Sequence, residues 1–268
     1  MKFKMFIMVL LAAGTLFGQN RLENVNKTTV TSNSSVNSFT DLVEEDYSRF
    51  YSTKTIGDSA FLLMVGAIIA NTEADDNFDC WYQNDIRSER TDEFSKFSKQ
   101  FGESGDLVPV MAAAWLVGHG LDKINISGGE YLEEWGEKSI RTLVVGAPVL
   151  LVTQMATGAG RPEEGGSEWE PFDDNNGVSG HAFMGAVPFL TAAQMTDNNY
   201  LKGMYFFGST WCAWSRVNDN DHYLSQAILG WSLAYVSSLS VFDKESFVHF
   251  SPIVTNRGAV GLRCEFNF

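Results

Sequence analysis

The sequence predicts a mainly α-helical bundle followed by a short C-terminal β-hairpin. Apolar residues recur at helical spacing through most of residues 41–241. Strict alternation begins only near the end, at Val248, Phe250 and Val254 and again at Val260, Leu262, Cys264, Phe266 and Phe268. About 250 of the 268 residues remain after an N-terminal leader, enough for one sizeable core.

Residues 1–18 read as a secretion signal. Lys2 and Lys4 give a positive start, Met5 to Phe17 is uncharged and mostly apolar, and small residues at Ala12, Ala13, Gly14 and Gly18 offer cleavage points, Gly18 being favoured. The run is too short for a comfortable membrane span. It implies export across the inner membrane, to the periplasm or the envelope. Residues 19–39, rich in Asn, Ser and Thr, read as a disordered linker.

A helical domain over 40–243 follows. Its expected elements are a helix over 41–54, capped by Asp41 with Glu44, and a second marked by Phe61, Leu62, Val65, Ile68 and Ile69. A third over 74–87 buries Phe78, Trp81, Tyr82 and Ile86, and a short one covers 91–101. The pattern continues from Leu107 through Val110, Met111, Ala114 and Trp115 to Gly118, then over 130–157, 179–196, 198–214 and 222–241. None of these reads as a clean membrane helix. The nearest, 224–242, carries Ser225, Gln226, Ser232, Ser237 and Ser238 and reads as a buried bundle helix. Trp81, Trp115, Trp211 and Trp231 are expected in the core. Residues 244–268 form the hairpin extension, turning at Asn256-Arg257-Gly258.

The formal charge of −14 makes nucleic acid a poor partner, and an anionic substrate needs a local basic pocket. Cys80, Cys212 and Cys264 allow at most one disulfide and read as small buried hydrophobes. Glu163, Glu164, Asp173 and Asp174 match no metal-ligand spacing and read as loop charge.

Three stretches carry chemistry. Residues 215–226, Ser-Arg-Val-Asn-Asp-Asn-Asp-His-Tyr-Leu-Ser-Gln, place Arg216 before a polar loop, with a helix starting at Asp221 or His222. His222 and Gln226 would then share a helix face, so the amide oxygen can hold one imidazole nitrogen and aim the other. A fork-shaped cation, an oriented histidine and a helix N-terminus describe a phosphate site. Residues 177–181, Gly-Val-Ser-Gly-His, put Ser179 and Gly180 at another helix start, with His181 able to protonate a leaving alkoxide. Gln154 to Pro162 ends in Gly-Ala-Gly-Arg-Pro, a loop presenting Arg161.

In this order the stretches resemble the type 2 phosphatidic acid phosphatase superfamily, which includes bacterial class A acid phosphatases and vanadium haloperoxidases. Its signature is Lys-x6-Arg-Pro, Pro-Ser-Gly-His and Ser-Arg-x5-His-x3-Asp. The chain reads Gln154-x6-Arg161-Pro162, Val178-Ser179-Gly180-His181 and Ser215-Arg216-x5-His222-x3-Gln226. The resemblance implies a helical bundle of that type and a phosphatase acting on phosphomonoesters or lipid phosphates, with no cofactor and no metal. His222 would attack phosphorus and form a phosphohistidine, and His181 would protonate the leaving group. Arg161 and Arg216 would clamp the phosphoryl oxygens with Ser179 and the Gly180 amide, and Gln154 would stand where the family has a lysine.

Gln226 replaces an aspartate. It can orient the imidazole but cannot raise its basicity through charge. Vanadate is implied as an inhibitor or, in a rival reading as a vanadium-dependent haloperoxidase, as the cofactor. A rival of another class, favoured by Gln154 and Gln226, is a catalytically weak phosphate-binding envelope protein docked through its hairpin. Peripheral membrane association is compatible with either; the oligomeric state is not encoded legibly.

Overall fold

The computed structural model describes residues 38–244, with the backbone of two strands, β1 (Val248–Val254) and β2 (Val260–Phe266). The expected secretion signal, nearly all of the expected linker and the expected turn at Gly258 lie outside the described residues, as does the side chain of Cys264. β1 and β2 pair antiparallel, from Val248 opposite Phe266 to Val254 opposite Val260.

The helices follow the predicted periodicity, with differences where capping and turn chemistry decide. α1 (Phe39–Phe50) is capped by Ser38, whose side chain accepts from the Asp41 amide while the Asp41 carboxylate accepts from the Ser38 amide. Asp41 is therefore the third residue of a capping box and not the cap. The expected helix over 41–54 ends at Phe50, because Ser52 caps a new one, α2 (Thr53–Ala70). α3 (Ala74–Trp81) passes into a π-helical turn over Tyr82–Ile86, and α4 (Glu89–Ser98) into a 3-10 turn over Lys99–Gly102. α5 (Ser104–Lys123) and α6 (Gly129–Thr157) form the most extensive helix pair. After a loop come α7 (Gly180–Met195), α8 (Asn199–Ser209), α9 (Trp211–Asn218) and α10 (Leu224–Val241). The single helix expected over 198–214 is broken at Thr210.

The core lies between α5, α6, α7 and α10, around Met111, Trp135, Phe183, Leu190 and Tyr235. Its buried tryptophan is Trp135, 1% exposed, whose indole N–H donates to the Pro188 carbonyl at 2.9 Å. Trp81 is half exposed, so it does not fill the core, and Trp115, Trp211 and Trp231 are only partly buried. Ile86 is likewise exposed, leaving Tyr82 as the buried one of the four apolar side chains expected there. Cys80 is exposed, against expectation, while Cys212 is buried; both are free thiols. α1 is tied to α6 by Arg141, which grips buried Asp46 with two bonds of 2.7 Å. The fork geometry satisfies both buried charges at once.

Among the described residues, three helices are long and apolar enough to cross a membrane: α2, α6 and α10. This corrects the expectation that no stretch qualifies. The apolar run of α10 is 78% buried and serves the bundle, whereas that of α2 is only 17% buried. Ile56, Met64 and Ile68 form an exposed stripe on α2, and Leu151, Val152 and Met155 one on α6. Such stripes suit a hydrocarbon surface better than water. Between α1, α2, α6 and α10 an apolar cavity of about 250 Å³ is lined by Phe50, Leu62, Val149, Leu233 and Val178.

Candidate active site

Every candidate residue comes from a helix end or from a loop joined to one. Gln154 lies in the last turn of α6, and Arg161 on the loop beyond it. Gly158 turns that helix end with a left-handed φ of 61°, and a β-carbon there would collide with the Glu170 carbonyl. Ser179 is the N-cap of α7, followed by Gly180 and His181 in its first turn. Arg216 is in the last turn of α9. Gln226 is in the first turn of α10, which starts at Leu224 with Tyr223 as its N-cap. His222 therefore precedes the helix that was expected to contain it.

The spacing from Arg216 to His222 is closed by the main chain. The amides of Asp221 and His222 both donate to the Arg216 carbonyl, at 2.9 and 3.2 Å. Asn220 adopts φ 61°, a conformation that asparagine tolerates better than most residues. Asp219 holds the loop from the other side, accepting from Ser95 Oγ at 2.6 Å and Lys99 Nζ at 3.0 Å. Gly230 lets α10 lie against the start of α7, where a β-carbon would strike the Ser179 carbonyl.

His222 is buried, and its Nδ1 lies 2.8 Å from Gln226 Oε1. Burial pushes its pKa down to about 4, with the positive fields of Arg216, Arg161 and His181 acting the same way; only the Gln226 bond opposes them. These three cationic or cationisable groups thus converge on one imidazole. His181 is also lowered, first by burial and then by Arg216, while Glu103 and Asp221 pull upward. Its Nε2 is 3.9 Å from Glu103 Oε1.

Arg216 is buried, pairs through Nη2 with Asp221, and has a buried Nε–H without a protein partner. Arg161 donates from Nε to Asn176 Oδ1 at 3.0 Å, and its amide donates to Glu164 at 2.7 Å. Ser179 Oγ accepts from the Ala182 amide at 3.3 Å, capping α7 and leaving the hydroxyl proton to donate elsewhere. The first-turn amides of Gly180 and His181 have no intrahelical partner to reach. Gln154 donates from Nε2 to the Val178 carbonyl at 2.8 Å, so this amide braces the backbone before Ser179.

Sequence reasoning missed several supports. Tyr223 supplies no conventional side-chain cap, and Asp75 on α3 reaches the Ser225 amide at 3.0 Å instead. Burial raises the Asp75 pKa. Asn176 and Asp221 brace the two arginines. No local pattern marks Asp75 or Asn176, because each acts on a segment distant in the chain. Of the four loop acids, Glu164 and Asp174 are engaged in local hydrogen bonds. Among the described residues, no three His, Cys, Asp or Glu side chains converge as metal ligands.

Chemically, the arrangement joins a neutral buried imidazole, a second imidazole at the site's edge, two arginines and a helix N-terminus. Such an arrangement can hold a tetrahedral or trigonal-bipyramidal oxyanion. The family model described as the PAP2 superfamily matches residues 79–246. No curated protein and no solved structure matches the chain.

Proposed function

The chain belongs to the PAP2 superfamily, and from that premise we propose that it hydrolyses phosphomonoesters, lipid phosphates included, through a phosphohistidine on His222. The observation that carries this reading is the pairing of a buried, neutral His222 with a buried Arg216 whose Nε–H has no protein partner. A phosphoryl oxygen would give that donor its partner.

His222 Nε2 attacks phosphorus in line as the ester P–O bond breaks. His181, protonated, gives its proton to the departing oxygen. Arg161, Arg216, Ser179 and the amides of Gly180 and His181 stabilise charge on the equatorial oxygens. A water then gives its proton to His181 and attacks phosphorus. The P–N bond breaks, freeing phosphate and neutral His222. Side-chain cations and amides supply the charge stabilisation, so phosphate release should survive a chelator.

The apolar cavity supports the lipid arm of this proposal, because Val178, the chain neighbour of Ser179, is among its lining residues. The exposed stripes of α2 and α6 support membrane association. Release of phosphate from soluble esters and from lipid phosphates, by the parent and by His222→Ala, is the test. Turnover by the parent that vanishes in His222→Ala is expected; undiminished turnover in the variant refutes the reading.

A further inference from the structure

Gln226 connects all three segments of the site. Its Oε1 faces His222 Nδ1 at 2.8 Å and the Tyr223 amide at 3.2 Å. Its Nε2 donates to the Gly160 carbonyl at 2.7 Å, on the loop that presents Arg161. Its own carbonyl accepts from the Ser179 amide at 2.9 Å. The side chain is fully buried, so no water can substitute for a lost partner without rearrangement.

These partners settle which amide atom is which. A backbone amide only donates and a carbonyl only accepts, so the oxygen must face Tyr223 and the nitrogen Gly160. His222 Nδ1, facing that oxygen, must then carry the proton, and the neutral ring presents Nε2 as its free lone pair. A carboxylate at this position could hold the histidine, but one of its oxygens would confront the Gly160 carbonyl. An aspartate is also one methylene shorter and would not span both partners. The amide is thus the group that satisfies the acceptor on one side and the donors on the other.

We propose that Gln226, besides holding His222 in the Nδ1–H tautomer, is a positioning residue for Arg161: it ties the loop that presents Arg161 to the nucleophile through Gly160. The proposal rests on the phosphatase reading for its meaning. Its test uses vanadate binding and imidazole spectra, so a failure of turnover leaves it separately decidable.

In ¹⁵N-labelled protein near neutral pH, His222 should show a protonated Nδ1 and an unprotonated Nε2. Gln226→Glu should keep that tautomer yet weaken orthovanadate binding by about tenfold or more, the scale of a lost buried hydrogen bond. Arg161→Ala should weaken binding as well, and adding it to Gln226→Glu should cost much less than it does in the parent, since both changes act through Arg161. An Nε2–H tautomer in the parent, a loss under about tenfold in Gln226→Glu, or full additivity would each overturn the proposal. If Gln226→Glu does not fold, Gln226→Met serves as an uncharged variant of similar length. It should lose both the tautomer lock and vanadate affinity; retention of either overturns the proposal.

Discussion

At the scale of single residues, the site is organised to keep one histidine neutral in acid. His222 has a pKa of about 4 against an ordinary 6.5, so it stays neutral well below the usual histidine range, as the proposed nucleophile must. His181 must be protonated to serve as the acid, and its pKa is also lowered from 6.5. The kcat/KM profile should therefore be bell-shaped and lie in acid, rising as pH passes about 4 and falling below 6.5. A pH–rate profile of the free enzyme checks this; an acidic limb near 6.5 would remove His222 from the role. Linkage carries the same sign. The native state resists protonation of His222 while the unfolded chain accepts it, so this part of the stability is whole above 6.5 and is lost as pH falls towards 4. The cost is on the order of 3 kcal/mol, and His222→Gln should flatten that part of a denaturation-versus-pH curve. Arg216→Ala should weaken vanadate binding by about a hundredfold, as removal of a buried charge partner does; titration calorimetry measures it.

At the scale of elements, the fold places helix ends where the chemistry is needed and apolar helix faces where lipid can lie. Asp75→Ala should lower stability by about 1 kcal/mol and reduce kcat, because α10 then loses the cap that sets its first turn. Thermal melts and steady-state kinetics measure both effects. Ala60 lines the apolar cavity without being part of the core. Ala60→Trp should fill the cavity, raising KM about tenfold for a long-chain lipid phosphate and leaving a short soluble ester unaffected. The helical periodicity of these elements is legible in the sequence, because apolar spacing survives in a bundle of this kind. The breaks at Tyr51 and Thr210 are not: the Ser52 cap alone marks the new start after Tyr51, and Thr210 makes no side-chain cap that would mark the second. The site is legible as three motifs because each is local. Its supports are not: Asp75, Asn176 and the Gly160 carbonyl act across the fold and carry no spacing signal.

At the scale of the whole molecule, a chain of net charge −14 presents two uncharged apolar stripes and a compact cationic cage. Electrostatics alone would repel it from anionic lipid, so any membrane binding should come from apolar contact and vary little with salt. Flotation with zwitterionic vesicles checks this, and Ile68→Glu combined with Leu151→Glu should abolish it. The membrane aspect is the part least legible in the sequence, because α2 and α10 are comparably apolar and only packing separates the outward helix from the inward one. The central claim is that His222 carries the phosphoryl group. The most direct test is rapid acid-free quenching of the protein during turnover of a phosphomonoester, followed by peptide mass spectrometry. An acid-labile phosphate on His222, absent from His222→Ala, is the predicted result; turnover with no phosphohistidine, or with the phosphate on another residue, would contradict the account.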